Sequence, residues 1–142
     1  MPPLVRRYLK TAIAFLLTGI GLGVYMLARR ELAGVWADPW WIGAHTHVIL
    51  VGFVLMMILG VALWMFPRPA KDDTRFDPRL AEGAYWCLTA GTAVRAAGEL
   101  ARAATGAAPA VRIGIVIAGT AQALGLALFF WNMWSRIRGR PD

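Results

Sequence analysis

The chain has 142 residues, 58% hydrophobic and only 16% charged, with a formal net charge of +7. Soluble domains carry about 25% charged residues; here the apolar residues stand in long blocks divided by short charged segments, which is a membrane pattern rather than core spacing. The Arg and Lys residues cluster at the ends of those blocks, which excludes a nucleic-acid surface and reads as topology. A single cysteine, Cys87, rules out an internal disulfide and reads as a small packing residue.

A bilayer core of about 30 Å needs roughly 20 apolar residues in a helix. Four segments meet that length, at about residues 8–28, 41–66, 80–101 and 110–134. The first follows Arg6, Arg7 and Lys10 but runs into Arg29-Arg30-Glu31 with no small-residue cleavage site. It is therefore expected to be a retained helix and not a signal peptide. The third is the least hydrophobic. Short connections predict antiparallel neighbours, and no internal repeat is visible. The expected fold is all-α, one membrane domain over residues 1–142, a four-helix transmembrane bundle of up-down-up-down topology.

Orientation follows from the loop charges. Arg6, Arg7, Lys10, Arg68, Lys71, Arg75, Arg79, Arg136, Arg138 and Arg140 fall on one side; Arg29, Arg30, Arg102 and Arg112 fall on the other. The larger group predicts cytoplasmic termini and a multi-pass protein of the cell inner membrane. Trp40 and Trp41 then lie at the outer interface, Trp131 and Trp134 at the inner one.

The chain has two histidines, His45 and His47, near the outer end of the second segment. At about 100° per residue they project roughly 200° apart, to opposite sides of a helix. Two ligands on one helix serving one metal sit three or four residues apart. The pair therefore reads as one helix offering a nitrogen to each of two partners.

After Ala44-His45-Thr46-His47 the chain continues VILVGFVLMMILGVALWMFPR. This resembles the tenth helix of subunit I in the heme-copper oxidase superfamily, which includes terminal oxidases and nitric oxide reductases. That helix carries His-x-His, then glycines (here Gly52 and Gly60), an aromatic near its end (Trp64) and Pro-Arg after it (Pro67-Arg68). The run FFWNMWSRIR, residues 129–138, resembles the family's last helix, and Ala84-Tyr85-Trp86 the helix between. The resemblance spans three of the four segments and the C-terminal third of a full subunit I.

It implies heme b as cofactor, with His45 ligating a high-spin heme and His47 a low-spin one. Neutral imidazole is a good iron ligand, and opposite faces suit two macrocycles. Gly52, seven residues past His45, would let a flat ring approach the backbone. The sequence departs from the family where the copper site and the second ligand of the low-spin heme need further histidines, so no copper is predicted. One copy cannot give one heme two histidines. A homo-oligomer can, either as a ring such as a trimer in which His47 of one copy and His45 of the next clamp one heme, or as a two-fold dimer.

Arg95 and Glu99 lie four residues apart in the third segment, and ionisable groups inside a membrane helix are functional candidates. Heme propionates want arginine donors, and Arg95, Arg102 and Arg112 are candidates. An Arg–Glu pair satisfying itself is the alternative for Arg95, and interfacial anchoring is the alternative for Arg102 and Arg112. Gln122 reads as an interhelical hydrogen bonder. Gly19, Gly21, Gly23 and Gly119 read as close-packing residues.

The expected function is that of a b-type heme membrane protein with lipid, heme and a quinol or other electron-transfer partner. Two protein ligands on the iron would mean electron transfer; an open iron face would mean chemistry on oxygen or nitric oxide. The alternatives are a non-catalytic subunit or assembly factor of a split oxidase or nitric oxide reductase, and a small transporter built on Arg95–Glu99.

Overall fold

The structure is a computed structural model that describes residues 1–67, 76–106 and 108–137. Among these residues there are four helices and no strand. Helix α1 is Pro3–Ala33, α2 is Pro39–Met65, α3 is Pro78–Thr105 and α4 is Pro109–Met133, closed by a 3₁₀ turn at Trp134–Ile137. Each begins on a proline, whose fixed φ and missing N–H suit a first helical position. Asp38 and Asp77 cap α2 and α3 by accepting from the amides of Trp40 and Arg79, both at 2.8 Å. Gly34, at φ 66°, ends α1 in the left-handed conformation, with Gly34 and Val35 amides returning to the carbonyls of Arg30 and Arg29.

Helix α2 is not uniform. Its turns over Val48–Leu55 are π-helical and begin directly after His47. This run is longer than the single-turn bulge in which π geometry usually occurs, often at functional sites.

Three helices, α1, α2 and α4, are long and apolar enough to cross a membrane. The third, expected as a span over 80–101, has 28 residues but not the apolarity, because Arg79, Glu82, Arg95, Glu99 and Arg102 interrupt it. It lies among the other helices, burying Ala81, Ala84, Leu88, Gly91, Thr92, Ala96 and Glu99 against them. The apolar surface points the other way. Leu17, Ile20, Val24, Ile58, Val116, Ile117 and Leu124 are all exposed, an arrangement that water penalises and lipid does not.

Glycines set the helix spacing. Along α1 and α2, Gly60 receives Tyr8, Gly52 receives Phe15 and Gly19 receives Ile49, an antiparallel register. Helices α3 and α4 are also antiparallel: a Cβ on Gly91 would lie 2.9 Å from the Ala118 carbonyl oxygen, and Gly125 faces Cys87 and Leu88. The main core joins Tyr8, Met56, Leu59, Tyr85, Leu88, Phe129 and Met133, with the Tyr8 and Tyr85 rings edge to face at 5.2 Å.

Arg136, read in the sequence as a topology charge, is buried against the end of α2. Its Nε donates to the Pro67 carbonyl and its Nη2 to that of Phe66, each at 2.7 Å. The Phe66 carbonyl belongs to the cap of α2 and the Pro67 carbonyl to the residue just past it; Nη2 also reaches the last-turn Leu63 carbonyl at 3.4 Å, and a guanidinium is a natural donor at such a helix end. Asn132 accepts from the Asp77 amide at 2.7 Å, so the end of α4 fastens both neighbours. The charges Arg68, Lys71, Arg75, Arg138 and Arg140 lie outside the described residues.

Candidate functional site

The α2 segment around the two histidines sits between α1 and α3. His45 turns towards α1, where its Nδ1 is 2.9 Å from the Gly19 carbonyl oxygen. Gly23, one turn further along α1, leaves room for the ring; a Cβ there would lie 3.1 Å from His45 Cε1. His47 turns towards α3. Its Nδ1 is 2.8 Å from the Gly43 carbonyl oxygen and 3.7 Å from Glu99 Oε2. The two rings thus face different helices. A carbonyl oxygen only accepts, so each Nδ1 carries the proton and donates it. In the neutral imidazole, Nε2 then keeps its lone pair.

Glu99 is the hub of a polar chain through the bundle. Its side chain is 4% exposed. Oε1 accepts from Arg95 Nε at 3.1 Å, while Oε2 is buried without a hydrogen-bond donor. Arg95 Nη1 donates to Gln122 Oε1 at 3.3 Å, and Gln122 Nε2 donates to Thr92 Oγ1 at 3.0 Å. The chain runs from His47 on α2 through α3 to α4. Gly43 and Gly119 make room for it: a Cβ at either would lie 3.2 Å from Glu99 Oε2 or Arg95 Nη1 respectively.

The remaining sequence candidates are not part of this cluster. The space over Gly52 is filled by Phe15, with Cγ 2.6 Å from where a Cβ would stand. Arg102 stacks its guanidinium over the Trp40 ring at 3.7 Å, a cation–π contact. Arg112 is exposed, lining a surface groove of ≈ 370 Å³ with Pro109, Ile113, Val116 and Ile117. Among the described residues no three His, Cys, Asp or Glu side chains converge as a metal site. Sequence reading left Gly43 and Thr92 unremarked and gave Gly19 and Gly23 only a packing role. Their i, i+4 spacing, which stacks Gly19 and Gly23 on one face of α1, was the available signal.

The chain is a multi-pass membrane protein whose two imidazoles each hold Nδ1 against a backbone carbonyl. Its sequence matches the family described as cytochrome c and quinol oxidase polypeptide I over residues 3–141, and the chain belongs to that family. No curated protein and no solved structure matches it.

Heme is the group this family implies, and the donor chemistry fits it. A metal-binding histidine commonly donates its second ring N–H to a carbonyl or carboxylate, which fixes the tautomer and orients the ring. Both histidines here have that support.

Proposed function

We propose that the chain is a b-type heme-binding membrane cytochrome of its family, without a copper centre, with His45 and His47 as axial ligands to iron. The observation that carries this reading is the pair of Nδ1–H to carbonyl hydrogen bonds on two sides of one helix. They hold both imidazoles in the form that offers Nε2 to a metal. When bound, heme supplies one-electron redox chemistry.

The chain's own residues do the rest. His45 is held against α1 and His47 against α3, so bis-histidine ligation of one iron calls for a second copy. A homo-oligomer, a ring such as a trimer or a two-fold dimer, supplies it. Arg95 is engaged by Glu99 and Gln122 and Arg102 is stacked on Trp40, which makes the exposed Arg112 the first propionate donor and Arg102 the second. Four helices cross the inner membrane up-down-up-down with cytoplasmic termini, α3 as the enclosed member, and a quinol or similar donor delivers electrons.

The test is a reduced-minus-oxidised optical spectrum of protein purified after expression with ample heme. A Soret and α-band pair that carbon monoxide leaves unchanged identifies electron transfer; a shift identifies an open iron face. Protein that carries no heme overturns the reading. It would leave the non-catalytic subunit, whose partner binding should survive His45→Ala and His47→Ala.

A further inference from the structure

Among the described residues, Glu99 is the one acidic side chain that is buried. A carboxylate taken out of water needs a partner for its charge and donors for its lone pairs. Arg95 supplies both to Oε1. Oε2 has no donor and is aimed at the gap between Gly43 and His47. His47 Nδ1–H lies 3.7 Å from it and donates to the Gly43 carbonyl at 2.8 Å. That carbonyl is one turn back on the same helix, so a small rotation of the ring exchanges a neutral acceptor for an anionic one. Gly43 serves both acceptors. It presents the carbonyl, and its missing side chain leaves the carboxylate room to approach.

We infer that Glu99 is a positioning residue for His47: its unpartnered oxygen is the second acceptor of the Nδ1 proton, and it makes His47 a stronger donor through Nε2. This rests on the reading of His47 as an iron ligand. A carboxylate on the far nitrogen of a ligating histidine raises ligand basicity. Hydrogen bonding of this kind is one of the levers that set a heme potential. Greater negative charge on the ligand favours the oxidised metal and lowers the potential. Arg95 moderates the effect by drawing on the other oxygen. His45 has only the neutral Gly19 carbonyl behind it, so the chain's two imidazoles are electronically unequal.

The experiment is a potentiometric titration of heme-loaded wild type, Glu99→Gln, Glu99→Asp and Arg95→Gln, followed by the α band. Glu99→Gln keeps the shape and removes the charge, and its midpoint should rise. Glu99→Asp keeps the charge but draws it back by one methylene, giving a smaller rise. Arg95→Gln leaves the carboxylate uncompensated and should lower the midpoint. A purely structural role would change how much heme is loaded without moving the midpoint of what is loaded. A Glu99→Gln midpoint equal to or below wild type overturns the assignment of Glu99 alone. If that variant does not fold, the sign of the Glu99→Asp shift decides in its place. A wild-type protein without heme overturns the ligand reading beneath it, and this inference with it.

Discussion

Replacing Arg95 with methionine isolates the cost of the buried carboxylate. The guanidinium donates to Glu99 at 3.1 Å, and at an effective dielectric near 20 two unit charges at that distance attract by about 5 kcal/mol. Desolvation offsets much of this while both partners are present, but not when one is removed. Stranding a buried charge typically costs about 3–5 kcal/mol. The Gln122 amide oxygen also loses its donor, which adds about 1 kcal/mol. Glu99→Leu should cost less, because Arg95 is 27% exposed and its long stem can carry the head towards an interface. The double variant Arg95→Met with Glu99→Leu removes both charges and should recover most of the loss. Reversible unfolding of the apo-protein in mixed detergent micelles measures all four corners of the cycle. An Arg95→Met loss below about 1 kcal/mol, or a double variant no better than that single one, would refute the reasoning.

Gly91→Ala pushes a Cβ against the Ala118 backbone and should cost about 1–3 kcal/mol in the same assay. Gly21→Ala is its control, since nothing lies within 4 Å of that position, and it should be neutral or slightly stabilising. Gly23→Val crowds the His45 ring, which stands 3.1 Å from a Cβ there, and should reduce heme occupancy with little loss of helical circular dichroism. Arg136→Ala removes two 2.7 Å charge-assisted bonds to the α2 terminus and should destabilise by about 2–3 kcal/mol, read as a lower melting temperature.

The helices were legible because their signals are local. Apolar blocks place them, and Pro39 after Asp38 or Pro78 after Asp77 marks where they begin, a few residues outside the apolar stretch. The opposed directions of His45 and His47 follow from helical rotation alone. What each ring meets does not, because the Gly19 carbonyl is 26 residues away in sequence. The role given to Gly52 assumed a regular 3.6-residue turn and an open face. The π-helical run from Val48 breaks that register, and Phe15 from α1 occupies the face. The third helix shows the same divide. Its charges are plain in the sequence, but only the packing shows that Glu99 faces inward to His47 and Arg95, while Arg102 reaches sideways to Trp40.

The most direct measurement is a pyridine hemochrome assay of bound protoheme per chain in wild type, each single histidine variant and the His45→Ala/His47→Ala double variant. Ligation by these imidazoles predicts protoheme in the wild type, less in each single variant and none in the double. Equal heme in wild type and double variant would contradict it.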